Sequence, residues 1–316
     1  MIKDLISIVS PVYGDRRNVS LLYSELVNVL SNMDVEYEII LVNDCCPYGS
    51  GEEIEKIAKQ DNHVKFIDLS RNFGQHNAIK AGLDYAKGDW AVVMDCDLQD
   101  NPQDIIKFYQ EAKKGYDVVW GIRTKRKDYF LKLLLSKTYQ TVEKKLSNYA
   151  TNYDHGNFSI ISKKVLNEFK LINNHNFNYC TVIHYLGFKT SFIEIEKCKR
   201  AEGKSGYNFV KGVRLALKSI IANSNKPLMF ATYCSLLMFS FSIIFIIKLL
   251  FDYYVYNNKL LGWTSIMVSI FFIGGLIFAY LAILGLYIGG VFKEVKHKPL
   301  YVVSKTMNLE EINDRK

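Results

Sequence analysis

From residue 6 to residue 121, short runs rich in β-branched residues alternate with stretches whose apolar positions recur at helical spacing. Strands are predicted at 6–10, 38–43, 65–69, 90–94 and 118–121. Helices are predicted between them at 19–31, 52–59, 77–86 and 102–113, the last opening with Asn101 as cap and Pro102 in the first turn. Strands separated by helices in this way build βαβ units, so the pattern predicts a doubly wound, mainly parallel α/β sheet.

The pattern then changes. No charge interrupts 227–247 or 263–292, and each stretch exceeds the about 20 apolar residues that cross a bilayer. Lys211, Arg214, Lys218 and Lys226 precede the first stretch and Lys293, Lys296 and Lys298 follow the second, whereas the turn at 252–262 carries only Lys259. The excess of basic residues on the flanks puts both termini in the cytosol, in a multi-pass protein of the inner (plasma) membrane, with Tyr253, Tyr254, Tyr256 and Trp263 as interface anchors. The first 30 residues lack a basic start, apolar run and cleavage site, so no cleaved export signal is expected. At 209–221, Phe209, Val213, Ala216, Leu217 and Ile220 share one helical face while Lys211, Arg214 and Lys218 form a stripe elsewhere. That is the pattern of a helix lying in the headgroup region, the alternative being a helix packed on the preceding domain. Residues 129–146 repeat it. The expected organisation is a catalytic domain at 1–205, an interfacial helix at 206–226, two transmembrane helices within 227–292 and a cytosolic tail at 293–316.

In 316 residues, 49% hydrophobic and 23% charged, there is enough apolar material for a sizeable core, which excludes a disordered chain. The net charge of +8 calls for an acidic partner. No nucleic-acid module is recognisable, and the basic residues cluster where a lipid surface or a lipid-linked phosphate would lie, so a membrane and no nucleic acid is expected. The six cysteines show no metal-type pairing and read as free thiols of a reducing compartment.

Sheets of this kind bind ligands beyond the carboxyl ends of their strands. Here those ends read Pro11-Val12-Tyr13-Gly14-Asp15, Asn43-Asp44, Ser70-Arg71-Asn72-Phe73-Gly74 and Asp95-Cys96-Asp97-Leu98-Gln99-Asp100. Neither a G-x-G-x-x-G after the first strand nor a P-loop occurs, which disfavours dehydrogenase and P-loop chemistry. Asp95-x-Asp97-x-Gln99 offers alternating oxygens that suit Mg²⁺ or Mn²⁺ shared with substrate phosphates, against the plainer reading of a solvated turn or helix cap. Arg123 follows the fifth strand, where a phosphate contact is expected; the adjoining Lys125, Arg126 and Lys127 also fit an exposed loop. His76 and His155 lack metal-type spacing and read as polar structural residues.

Taken in order, these motifs, with Gln75-His76, Ala81-Gly82-Leu83-Asp84, Gly88-Asp89, Gly121-Ile122-Arg123, the run from Arg200 to Tyr207 and the two apolar stretches, resemble one family over almost the whole chain. It is the inverting family-2 glycosyltransferases of GT-A type, and within them the polyprenyl-phosphate enzymes such as bactoprenol-phosphate glucosyltransferases and dolichol-phosphate mannose synthases. The resemblance implies a UDP- or GDP-linked nucleotide sugar as donor, a membrane polyprenyl phosphate resembling undecaprenyl phosphate as acceptor, and self-association into a homo-oligomer. It implies donor-binding roles for Pro11, Val12, Tyr13, Asp15, Val42, Asp44, Gly74, Asp95 and Cys96, and metal ligation by Asp95, Asp97 and Gln99. Asp97, Arg123 and Arg200 would be catalytic, and Arg126, Arg200, Lys204, Ser205 and Tyr207 would bind the acceptor. Two departures stand out. Asn157 occupies a position where many relatives carry an acidic residue, and Gly14-Asp15 replaces a common Asn-Glu. A different lipid-linked or saccharide acceptor, or a non-catalytic membrane scaffold, are the competing readings; a processive synthase is disfavoured because no Q-x-x-R-W element occurs.

Overall fold

The computed structural model describes residues 3–123, 155–173, 178–196, 262–296 and 298–309, and parts of 228–255. The first unit, which takes in the N-terminal region and the C-terminal end from Pro299, opens with β1 (Leu5–Val12), α1 (Arg16–Ser31), β2 (Glu36–Asn43), α2 (Ser50–Gln60), β3 (Val64–Leu69) and α3 (Gln75–Tyr85). It continues through β4 (Trp90–Val93), α4 (Asp104–Ala112), β5 (Val118–Arg123), β6 (His155–Ser162), α5 (Lys163–Lys170), α6 (Tyr179–Leu186) and β7 (Thr190–Ile195), and β8 (Val303–Met307) completes it.

These strands form one eight-stranded sheet in the order β7-β5-β6-β4-β1-β2-β3-β8. Side chains alternate across it. Ile6, Ile8, Ile39 and Leu41 face a core built with α1, α2 and α4, whereas Val9, Ile40 and Val42 face a second core built with α3, α5 and α6. Strands covered on both faces read as unbroken apolar runs, which is why β1 and β2 are so legible in the sequence. At Gly82 the helix α3 rides directly on the sheet, because a Cβ there would collide with the Cγ1 of Val9. Gly82→Ala is expected to cost about 1–3 kcal/mol, read as a lower denaturation midpoint, since neither the strand nor the helix can yield by a methyl group.

Two expectations are corrected. The sheet is mixed rather than mainly parallel: β6 runs antiparallel to both β4 and β5, and β8 runs antiparallel to β3. Both antiparallel strands, β6 and β8, fall outside the predicted strands, whose βαβ connections account only for the parallel part of the sheet. The segment expected as part of a tail instead supplies β8, which closes the β3 edge. Leu300 is buried, and Asn308 Nδ2 donates to the carbonyls of Ala58 and Val64 at 2.7 and 2.9 Å.

The second unit contains α7 (Trp263–Val295). Among the described residues, its segment Phe272–Phe292 is the one helix long and apolar enough to cross a membrane. Residues 228–234, inside the first apolar stretch, are also helical. The expected interfacial helices at 129–146 and 206–226 lie outside the described residues.

Candidate active site

The ends of β1 and β2 are joined by the Asp44 amide, which donates to the Val12 carbonyl at 3.1 Å, with Pro11 in register with Val42. Asp44 is 2% exposed. Its carboxylate accepts the amides of Phe73 at 2.7 Å and Gly74 at 2.9 Å, so it closes the loop after β3 onto the end of β2. Burial pushes its pKa up, while these two N–H groups and the Arg71 charge oppose the rise. Gly74 holds φ at 92°, a conformation side chains rarely adopt, and so lets the loop turn its amides inward before α3 begins. Tyr13, 52% exposed, meets Tyr48 edge-on with ring centroids 6.4 Å apart. Pro11, Val12, Tyr13, Val42, Asp44 and Gly74 are therefore brought to one sheet edge. Asp15 is engaged differently: its carboxylate caps α1 through the Arg17 amide at 2.9 Å and pairs with the Arg17 guanidinium at 2.8 Å, which together hold its pKa down to about 2.

After β4 the chain turns through Leu98, a non-glycine residue at φ 54°. Asp95 Oδ1 accepts from Gln75 Nε2 at 2.6 Å and from Asn157 Nδ2 at 3.4 Å. Asp97 Oδ1 accepts the Gln99 amide at 3.2 Å, and its other oxygen accepts from the Gln99 side chain. Gln99 is 4% exposed and turns its nitrogen to Asp97, so its observed work is to orient that carboxylate. Cys96 lies buried between the two aspartates, and burial lifts its thiol to about 11. Among the described residues no three His, Cys, Asp or Glu side chains gather as a metal cage. Two carboxylates on one strand end nevertheless fit a hard cation that takes its remaining oxygens from water and substrate phosphates, the usual mode for Mg²⁺.

Asn157 lies on β6 beside Asp95, and its Oδ1 accepts from Cys180 Sγ at 3.5 Å. Burial, reinforced by the Asp95 charge, lifts that thiol to about 12. Where the family resemblance led to the expectation of an acid, this chain presents an amide that donates to Asp95, and a carboxylate there would confront Asp95 with like charge. Gln75 and Asn157 are the partners of Asp95 that sequence reasoning left without a role. Gln75 lay within a quoted motif, but what it touches is 20 residues away. Arg123 ends β5, whose carboxyl end lies on the same sheet edge as that of β4, since both strands run against β6. Arg126, Arg200, Lys204, Ser205 and Tyr207 lie outside the described residues.

Comparison with known proteins completes the picture. The profile of glycosyl transferase family 2 matches residues 7–169. The uncharacterized glycosyltransferase YkcC of Bacillus subtilis is 33% identical over 305 residues, 96% of this chain and 94% of its own. The bactoprenol glucosyl transferase of Shigella phage SfII is 30% identical over 302 residues, 95% of this chain and 98% of its own. Among solved structures, glucosyl-3-phosphoglycerate synthase from Mycobacterium tuberculosis, in complex with Mn²⁺, UDP and glucosyl-3-phosphoglycerate, matches with a TM-score of 0.50 at 12% identity, covering 70% of this chain and 78% of that one. The likeness is one of fold, a GT-A-like mixed α/β sheet. With polar strand ends on such a sheet, a family profile over residues 7–169 and relatives that match over nearly their whole length, this chain belongs to glycosyl transferase family 2.

Proposed function

We propose that the protein transfers a sugar from a UDP- or GDP-linked donor to a membrane polyprenyl phosphate, at the cytosolic face and with inversion. The observation that carries this reading is the pairing of two oriented carboxylates, Asp95 and Asp97, with an amide rather than a carboxylate at position 157. An acceptor hydroxyl needs a base to take its proton. A phosphate monoester, with a second pKa near 6, is already largely ionised at neutral pH and needs positioning more than deprotonation. A site without a carboxylate at 157 suits the second acceptor. The name of the phage relative, a bactoprenol glucosyl transferase, points the same way.

A direct displacement at the anomeric carbon inverts it and asks for no protein nucleophile. Asp44 and the loop it closes hold the nucleoside, with Tyr13 against the base. Asp95 and Asp97 would hold Mg²⁺ or Mn²⁺, which when bound neutralises the charge of the departing nucleoside diphosphate. Arg123 and Arg200 are assigned to phosphates, for which the guanidinium fork is suited; Arg126, Lys204, Ser205 and Tyr207 are assigned to the acceptor. The stretches 227–247 and 263–292 are read as two spans with both termini cytosolic. Exposed Ile266, Ile270, Ile273 and Ile277 recur at helical spacing on α7, an apolar stripe suited to lipid.

The test incubates detergent-solubilised protein with Mg²⁺ or Mn²⁺ and a panel of nucleotide sugars, with and without undecaprenyl phosphate, and measures nucleoside diphosphate and glycolipid. Turnover is expected only with lipid phosphate and metal together. Nucleotide binding without lipid-dependent turnover would point to another acceptor, and neither would leave a scaffold. Arg200→Ala is expected to lower kcat/KM for the lipid phosphate by about 10²-fold, the loss of one charged hydrogen-bonded contact, whereas wild-type kinetics would remove it from the acceptor site.

A further inference from the structure

Covering the edge of β3 requires only backbone pairing and apolar contact. β8 does both, yet it also joins a line of side-chain hydrogen bonds that crosses the carboxyl ends of three neighbouring strands. Ser304 Oγ donates to Asp68, 3.0 Å from Oδ2 and 3.2 Å from the carbonyl oxygen. The other carboxylate oxygen of Asp68 accepts from Asn43 Nδ2 at 2.7 Å. Asn43, 6% exposed, then accepts the Cys46 amide on its Oδ1 at 3.1 Å, and Cys46 Sγ accepts the Gly14 amide at 3.3 Å. The line therefore starts on β8, passes through the residue that precedes Asp44, and ends on the residue that follows Tyr13.

Three details give this line purpose. The β3–β8 ladder shifts register between Asp68 and Leu69, and such a bulge re-aims a side chain. Asn43 reaches this position only because residue 51 is glycine, since a Cβ there would come within 2.8 Å of its Nδ2. A second route runs in parallel: Ser70, at the start of the loop whose amides bind Asp44, donates its own amide to the Val302 carbonyl at 2.9 Å. Both routes end on Asp44 and the turns beside it.

We infer that Ser304 and Asp68 are positioning residues of the donor pocket, holding Asn43, and through it the Asp44 and Tyr13 turns, in the arrangement that receives the nucleotide. The inference rests on the nucleotide-sugar reading of that pocket. It makes the chain beyond the apolar helix a part of donor recognition, whereas a plain edge cover would contribute stability alone.

The test uses full-length protein in detergent and compares Ser304→Ala and Asp68→Asn with Asn308→Ala. Asn308 fastens the same segment through Ala58 and Val64, the latter at the opposite end of β3 from Asp68. UDP and GDP affinity is measured by calorimetry, donor KM and kcat by turnover, and exchange of the 44–49 amides by mass spectrometry. Ser304→Ala and Asp68→Asn are expected to weaken nucleotide binding and raise donor KM by roughly three- to tenfold, the range for one hydrogen bond, with kcat within about twofold. They are also expected to speed exchange at 44–49. Asn308→Ala is expected to lower the melting temperature with nucleotide affinity and that exchange unchanged. Wild-type affinity and exchange in the first two variants would overturn the inference, as would an equal loss of affinity in Asn308→Ala. Wild-type protein that binds neither UDP nor GDP would instead overturn the donor reading itself, and the exchange data would then show whether the line orders the turns at all.

Discussion

Replacing Asp97 with Ala is expected to lower kcat/KM for sugar transfer by about 10³-fold or more while leaving the protein folded and membrane-inserted. Departure of a nucleoside diphosphate develops negative charge at a site that already contains two carboxylates, and a hard cation supplies several kcal/mol against it. Asp97 accepts from both the backbone and the side chain of Gln99. Asp97→Asn separates charge from shape: the amide keeps the size and loses the anion, so a loss close to that of Ala is expected if ligation is its role. Gln99→Ala, which removes the side-chain contact and keeps the backbone one, is expected to cost only about tenfold. Nucleotide-dependent Mn²⁺ binding, followed by electron paramagnetic resonance, reads the same residue without turnover. Full transfer and full Mn²⁺ binding by Asp97→Ala would remove the metal assignment.

How much of this was legible follows from where each signal resides. Strands 1 to 4 were readable because they are buried on both faces, and their ends because Asp44, Asp95 and Asp97 interrupt apolar runs abruptly. The orientation of Asp95 was not readable, because Gln75 and Asn157 reach it from two other elements, Asn157 being held in turn by Cys180. β6 was not among the predicted strands: its adjacent Ile160 and Ile161 break the alternation, and it is pairing with β4 and β5 that makes it a strand running backwards between them. β8, of sequence VSKTM, is too short and polar to announce itself; the open edge of β3 makes it a strand. The Arg200 to Tyr207 run was legible as a motif and remains an assignment by resemblance.

Lysine is a residue type ordinarily left to solvent, yet the fold buries Lys80 of α3 at 1% exposure. Its ammonium lies 2.5 Å from Asp84 Oδ1, one turn along α3, and 3.0 Å from the carbonyl of Lys170 at the end of α5, with the Phe169 ring centroid 5.5 Å away. Asp84 also accepts from the Tyr301 hydroxyl at 2.8 Å, and burial raises its pKa against the pull of Lys80. One buried pair thus fastens α3 to α5 and to the segment that leads into β8. Lys80→Ala would strand the Asp84 carboxylate and open a cavity against Phe169, for which a loss of about 3–5 kcal/mol is expected. That corresponds to a fall on the order of 10 °C in the melting temperature of the solubilised chain. Lys80→Met with Asp84→Leu removes both charges and refills the volume, and it is expected to restore most of the loss, since a buried ion pair is often no more stabilising than well-packed hydrocarbon. The double-mutant cycle decides between the two contributions. A cost under about 1 kcal/mol for Lys80→Ala would mean that water reaches Asp84 in solution, and that apolar contacts alone seat α3 on the sheet.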